Sequence, residues 1–287
     1  MAVMEGSVDL HTHTTASDGL HTPTEIVRFA LEAGLKAVAI TDHDTVGGIE
    51  EADAAGRLAG IEVVPGVELS TVAEGHDIHI LAYYTSLRDE RWLKRLESLR
   101  TVREQRNKLI IERLTQLGLP IMEEEVAEAA HRDMESRPAG ATIGRPHIAA
   151  ALVQKGYVGS VAEAFDRYLK AGASAYVNPP RLHPFEALQW IADAGGTSVI
   201  AHPGLYNNDK LVLELIARGA QGIEAYHSDH SAAEEQKYAE WGRKHRLIVT
   251  GGSDFHGTRQ GQLFHGSVGN RMVSIAVLQQ LRAGARS

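Results

Sequence analysis

The chain has 287 residues, 43% hydrophobic and 23% charged, which is ordinary globular usage at a length that suits one barrel-sized domain or two smaller ones. It contains no cysteine, which excludes disulfides, thiolate zinc sites and cysteine nucleophiles, so any metal must be held by nitrogen and oxygen. The formal net charge of -8 argues against a surface that coats long nucleic acid, although bound divalent cations could reverse the sign locally.

Met1 to Asp9 carries no basic stretch followed by a long apolar run, and no later segment approaches a membrane span. The expected location is cytoplasmic, with no membrane partner. The unusual feature is the 15 histidines, and their positions carry the argument.

In chain order, Val8-Asp9-Leu10 reads as a strand and Pro23 to Ala33 as a helix with Pro23 in its first turn. Ala37 to Ile40 is a strand, Val46 to Ala59 a helix, and Ile61 to Val67 and Ile78 to Tyr83 are further strands. The alternation resumes with a helix over Pro184–Ala194, a strand over Thr197–Ala201 and a helix over Lys210–Arg218. A strand over Gly222–Tyr226, a helix over Ala232–Lys244, a strand over Leu247–Thr250 and a helix over Val273–Arg282 complete the chain. About seven strands in βα units imply a largely parallel sheet, closed as a barrel or open and doubly wound.

Residues 87–177 break this rhythm and read as an inserted helical subdomain, which divides the chain into a barrel domain of 1–86 plus 178–287 and the insertion. Its first helix is expected to open on a capping box of Ser86 and Asp89. That helix carries Arg88, Arg91, Arg95, Arg100, Arg103 and Arg106; Glu97 and Glu104 in the same stretch favour a solvated face over an anion site.

The chemistry lies at strand ends. His11-Thr12-His13 follows the first strand, and residues two apart in extended chain point the same way, so both imidazoles can reach one ion. Asp18 follows in the same loop. The second strand ends Thr41-Asp42-His43-Asp44, where Asp44 is expected to cap the next helix. The third ends in Glu68. In the fourth, alternation places His79 opposite Ile78 and Ile80, which by itself favours a satisfied core histidine. The later strands end in His202, in Glu224 to His227, and in Asp254-Phe255-His256. Packing does not explain six strands that finish in His, Asp or Glu. Such ligands suit Mn(II), Fe(II) or Zn(II), and their number implies at least two ions.

These motifs resemble the polymerase and histidinol phosphatase (PHP) superfamily through His11-Thr12-His13, Ala16-Ser17-Asp18-Gly19, Thr41-Asp42-His43, Pro65-Gly66-Val67-Glu68, Ala201-His202-Pro203 and Gly252-Ser253-Asp254-Phe255-His256. The resemblance spans nearly the whole chain and is greatest to the branch that acts on 3′,5′-nucleoside bisphosphates, some members of which degrade short RNA from the 5′ end. It implies an α/β fold, a distorted (β/α)7 barrel, and up to three divalent metals, with manganese expected and iron or zinc as alternatives. One site would use His11, His13, Glu68 and Asp254, a second Glu68 with His79 and His202, and a third Asp18, His43 and His256. His79 becomes a ligand on this view.

The resemblance also implies that the insertion roofs the site, where Arg145 and His147 of Gly144-Arg145-Pro146-His147 are expected to contact substrate anions. His227 is the candidate to protonate the leaving oxygen, and Asp42 is expected to orient a ligand histidine through its other nitrogen. The implied reaction is metal-dependent hydrolysis of the 3′-phosphate of a 3′,5′-nucleoside bisphosphate, giving a 5′-mononucleotide and phosphate. The substrate is a small nucleotide or a short oligonucleotide. The alternatives are a 5′-3′ exoribonuclease on short RNA, an amidohydrolase cleaving a carbon-nitrogen bond, and a non-catalytic metal-binding module.

Overall fold

The computed structural model describes residues 6–131, 143–259 and 261–285. The barrel begins with β1 (Ser7–Asp9), α1 (Pro23–Glu32), β2 (Ala37–Ile40), α2 (Ile49–Ala59), β3 (Glu62–Ala73) and β4 (His76–Tyr83). Thr22 caps α1 in a reciprocal box with Glu25, and Pro23 sits in the first turn. One face of α1, with Ile26, Val27 and Ala30, is buried against Val38 and Ile40 of β2. Each of the buried Ile and Val side chains contributes about 1.5–3 kcal/mol.

Strands β1, β2 and β3 are parallel. The connection from β3 to β4 is only Glu74-Gly75, both with positive φ, which is a hairpin turn and too short for a parallel crossover. Accordingly β4 runs antiparallel to β3 and to β5 (Thr197–Ile200). This hairpin departs from the simple βα alternation read from the sequence, and it is the distortion in the barrel.

Between β4 and β5 lie α3 (Glu90–Gln116), α4 (Glu123–His131), α5 (Arg145–Gln154), α6 (Val161–Ala164), a π-helical turn Phe165–Leu169, and α7 (Pro184–Asp193). The α3 cap is Asp89, whose carboxylate accepts the Trp92 N–H at 2.7 Å. Ser86 is not part of it, because its N–H is engaged by the Ala194 carbonyl. The early turns of α3, with Trp92, Leu96 and Leu99, pack into the barrel core. Its later turns, with Ile110 and Leu114, join a separate apolar cluster with α4, α5 and α6. On that basis we propose residues 87–177 as a subdomain anchored to the barrel by α3.

The chain continues through a 3-10 turn Pro203–Tyr206, α8 (Asp209–Ala217), β6 (Gly222–His227), α9 (Ala232–His245), β7 (Ile248–Gly252), a short hairpin of β8 (Thr258–Arg259) and β9 (Gln262–Leu263), β10 (Val273–Ser274) and α10 (Val277–Gly284). Val273 and Ser274 form a strand antiparallel to β1, so the last helix starts at Val277. The sheet order is β10-β1-β2-β3-β4-β5-β6-β7. Backbone hydrogen bonds from Leu10 to Gly251 (3.1 Å), Asp254 to His11 (2.8 Å) and His13 to Phe255 (3.0 Å) bring its two ends together. The result is a nearly closed barrel with the residues that follow β1, β2, β6 and β7 at one rim.

Candidate metal centre

The rim gathers chain segments that are far apart in sequence. Asp9, buried at the end of β1, accepts backbone N–H groups from His11, Ser253 and Gly269, tying the loops after β1 and β7 together. Gly252 permits the close approach, since a Cβ there would lie 2.3 Å from the Cβ of His11. Asp42 performs the matching task after β2: it accepts from Thr14 N (2.7 Å), Thr14 Oγ1 (2.7 Å) and Ser17 Oγ (2.6 Å). Ser17 Oγ lies between it and His13 Nδ1 at 3.4 Å, so it holds His13 through the hydroxyl.

Glu68 is the hub. Its Oε2 lies 3.5 Å from His11 Nε2, 3.2 Å from His13 Nε2 and 3.0 Å from His43 Nδ1. Its Oε1 lies 2.8 Å from His79 Nδ1 and 3.0 Å from His202 Nε2. Asp254 Oδ1 approaches both His11 Nε2 (3.3 Å) and His13 Nε2 (3.2 Å). Asp18 faces His256 Nε2 at 3.3 Å, with His13 and His43 at 3.9 Å. All nine residues singled out as ligands in the sequence therefore converge. His11, His13, Glu68 and Asp254 form one group, His13, Asp18, His43 and His256 another, and His43, Glu68 and His79 a third.

These residues fit divalent cations. His11 Nε2, His13 Nε2 and Asp254 Oδ1 are buried and make no hydrogen bond. The separations of 3.2–3.5 Å among these atoms and Glu68 Oε2 match the edge of about 3.4 Å of a tetrahedron with ligand bonds near 2.0–2.1 Å. Burial pushes the His43 and His202 rings down to about 4 despite Glu68 beside them, which keeps both neutral and able to ligate. Burial also disfavours charge on His13, but Asp254 and Glu68 outweigh it and raise the ring to about 10. His11 rises for the same reason, under Asp254, Glu224 and Glu68. So much negative charge around these rings is a field that a cation would neutralise. His202 and Asp254 also hold positive φ of 24° and 53°, backbone strain of the kind that collects at functional sites.

Several residues acquire their roles only here. Glu224 is fully buried in β6 and accepts from His11 Nδ1 (3.1 Å) and from the His202 N–H (2.8 Å), which leaves His11 Nε2 facing Glu68 and Asp254. A carboxylate inside a strand was the available signal. His227 is also buried; its Nε2 lies 3.2 Å from Asp254 Oδ2, and its Nδ1 accepts the Asp229 N–H. His265, which motif reading passed over, pairs with Asp229 at 2.5 Å and lines the cavity.

That cavity, of about 310 Å³, opens above Glu68, His79, His202 and Asp254 and is also lined by Arg103, Arg106 and Arg145. Arg103 and Arg106 are buried, contrary to the solvated face expected for α3. Arg103 donates to Asp44 Oδ2 (3.0 and 3.2 Å) and to Ser70 Oγ. Asp44 is thereby an anchor for the insertion and not the cap of α2, whose N-cap is Gly48 and has no side-chain cap. Arg145 reaches Asp77 at 2.7 Å at the cavity edge. His147 is buried, and its Nδ1 accepts the Gly144 N–H at 3.0 Å, closing the first turn of α5.

Residues 9–177, more than half of the chain, match the PHP domain family. The chain belongs to the PHP family. This PHP protein is 36% identical over 258 residues to the 5′-3′ exoribonuclease of Haemophilus influenzae, covering 88% of the chain and 91% of that relative. It is 34% identical over 260 residues to the 3′,5′-nucleoside bisphosphate phosphatase of Chromobacterium violaceum, covering 89% of both. A solved Bifidobacterium adolescentis protein, provisionally named a metal-dependent phosphoesterase, superposes with a TM-score of 0.86 at 32% identity over 96% of both chains. A Chromobacterium violaceum protein named an amidohydrolase, solved with sulfate and no metal, gives 0.82 at 32% identity with the same coverage. The PHP chain is thus a metal-dependent phosphoesterase and a hydrolase, which sets aside the non-catalytic reading.

Proposed function

We propose that this enzyme removes the 3′-phosphate from 3′,5′-nucleoside bisphosphates, giving a 5′-mononucleotide and phosphate. The observation that carries the reading is one cavity that joins the histidine-carboxylate cluster to a set of arginines, an arrangement suited to an ester that bears more than one phosphoryl group. The relative named as a bisphosphate phosphatase supports it. The second reading, removal of nucleotides from the 5′ end of short RNA, is favoured by the relatives named 5′-3′ exoribonucleases.

In this reading His11, His13, Asp18, His43, Glu68, His79, His202, Asp254 and His256 hold two or three divalent ions, with manganese preferred and iron or zinc as alternatives. When bound, such ions supply an activated water and offset charge on the phosphoryl oxygens. Glu68 places its histidines on both sides of one carboxylate, and Glu224 holds the His11 tautomer. Asp42 keeps the His13–Asp18 loop in place through Thr14 and Ser17. His227 is buried behind Asp254, whereas His265 lines the cavity and is hydrogen-bonded to Asp229. The proton for the leaving oxygen is therefore assigned to His265, with His227 positioning Asp254. Arg145 lies beside substrate oxygens, and His147 serves it by closing the turn that carries it. A cytoplasmic location goes with nucleotide substrates; among the described residues no helix is long and apolar enough to cross a membrane.

The test is a product assay with Mn(II) supplied, comparing 3′,5′-bisphosphonucleosides, mononucleotides and short oligoribonucleotides. Phosphate release fastest from the bisphosphate is expected. Mononucleotides released stepwise from oligoribonucleotides in preference would favour the second reading, and ammonia release from an amide panel without phosphate release would overturn both.

A further inference from the structure

The two imidazoles on Glu68 Oε1 are aimed without a carboxylate behind them. His11 has Glu224 on its Nδ1, and His256 Nδ1 donates to the Asp254 carbonyl at 2.8 Å, the usual way in which a ligand ring is held through its second nitrogen. His202 Nδ1 is buried and makes no hydrogen bond. Among the described residues the His79 ring makes polar contacts through Nδ1 alone, to Glu68 and His202. Yet the two ring nitrogens lie 3.3 Å apart, at 2.8 and 3.0 Å from the same carboxylate oxygen. Rings so placed take their aim from the backbone that carries them.

That backbone is the open end of the ladder between β4 and β5. The regular pairs run from Tyr83–Thr197 to Ile80–Ile200, so the next pair is His79 with Ala201, which should exchange two hydrogen bonds. One is present, from the Ala201 N–H to the His79 carbonyl at 3.3 Å. The Tyr206 hydroxyl takes the place of the other. It accepts the His79 N–H at 3.0 Å and donates to the Ala201 carbonyl at 2.6 Å, nearer than the His79 carbonyl at 3.0 Å. An oxygen seated between donor and acceptor holds them farther apart than a direct bond of about 2.9 Å would, and so splays the strands where both ligands leave them. The Tyr206 ring is buried and stands T-shaped to His202, with centroids 5.6 Å apart. The turn that returns it is fixed in its own right: the Gly204 N–H donates to His230 Nε2 at 3.0 Å, and His230 Nδ1 donates to the Ala225 carbonyl at 2.9 Å. A Cβ on Gly204 would lie 2.7 Å from the His230 ring, so the approach requires glycine. Neither Tyr206 nor His230 lines the cavity.

We propose that the Tyr206 hydroxyl is a positioning group for the ion site of Glu68, His79 and His202: seated in the ladder, it sets the spacing of the two imidazoles and thereby the affinity of that one ion, while His230 holds the turn that carries it. This rests on the ligand assignment proposed above and deepens it. The groups built on His11, His13 and Asp254 and on Asp18, His43 and His256 leave other strand ends, so their ions do not depend on the wedge.

The test measures Mn(II) binding without substrate, by elemental analysis after dialysis at set free Mn(II) and by chelator competition. Tyr206→Phe keeps the ring and removes the oxygen. It should weaken one ion about 10- to 100-fold, the usual effect of changing a residue behind a ligand, and leave the remaining ions unchanged, a selectivity that a generally loosened fold would not give. Turnover should fall at limiting Mn(II) and recover in kcat when Mn(II) is raised. His230→Leu should reproduce the loss of that one ion, whereas His230→Gln, which can still accept from Gly204 and donate to Ala225, should retain more of it. A folded Tyr206→Phe that binds every ion like wild type would overturn the positioning role, as would equal weakening of all ions. Should Tyr206→Phe not fold, wild-type binding in His230→Leu would overturn it instead. Wild type that binds no Mn(II) would refute the ligand assignment and this inference with it. Selective loss of one ion in an enzyme that cleaves no nucleotide would uphold the positioning role while refuting the assigned reaction.

Discussion

Replacing Glu224 with Gln tests how His11 is held. Glu224 accepts two hydrogen bonds on its carboxylate, from His11 Nδ1 (3.1 Å to Oε1, 3.2 Å to Oε2) and from the His202 backbone N–H (2.8 Å to Oε2). An amide has one accepting oxygen, so it can satisfy one of these donors while turning its own N–H toward the other. Loss of a buried charged hydrogen bond costs about 1.5–3 kcal/mol, which corresponds to about 10- to 100-fold in metal affinity, the usual effect of removing a carboxylate behind a ligand histidine. Chelator competition on Glu224→Gln should show that loss. The gain in thermal midpoint on adding Mn(II) should shrink with it, because metal binding to the folded state stabilises in proportion to the logarithm of affinity. A folded variant with metal affinity within twofold of wild type would refute the reasoning.

Three further outcomes are expected. Alanine at His11, Glu68 or Asp254 should abolish phosphate release while circular dichroism shows a folded protein, since each side chain belongs to the metal cluster and not to the apolar core. Exhaustive chelation should remove activity, and reconstitution with Mn(II) should restore it; turnover surviving in metal-free protein, verified by elemental analysis, would count against the centre. Asp77, half-buried, is held well below the ordinary carboxylate value by Arg145, Arg181 and Arg106, which outweigh its loss of solvent. It should therefore stabilise the fold fully above about pH 4 and lose that contribution as the pH falls. Asp77→Asn should cost about 3–5 kcal/mol in neutral denaturant unfolding by leaving its arginines uncompensated, and its stability should fall less steeply than that of wild type as the pH drops below about 4.

Much of the site was legible because barrel strands deliver their terminal residues to one rim. His11 and His13 share a side by strand periodicity, and His43, His202 and Asp254 each lie just past a strand end, whereas Glu68 sits inside β3, which runs on to Ala73, and not at the strand end expected for it. The βα alternation likewise placed the helices that flank the parallel strands. Strands read over Ile61–Val67 and Ile78–Tyr83 leave a gap that hides the hairpin; β3 runs on to Ala73 and β4 starts at His76, and the two residues between them cannot make a parallel crossover. Helix boundaries moved where capping had been inferred from spacing alone: Ser86 and Asp44 have the right chemistry for caps but are engaged by Ala194 and Arg103.

What the sequence determined by itself was the kind of chemistry: imidazoles and carboxylates at strand ends, no thiolates, and a chain patterned for a barrel. Tertiary structure decided which charges are buried and what they face. Arg103 and Arg106 lie in a stretch that balances arginine with glutamate and reads as a solvated helix; they become cavity walls because α3 docks across the rim. Glu224 supports His11 from 213 residues away. Burial and long-range pairing depend on how elements pack against one another, and local periodicity contains no term for that contact.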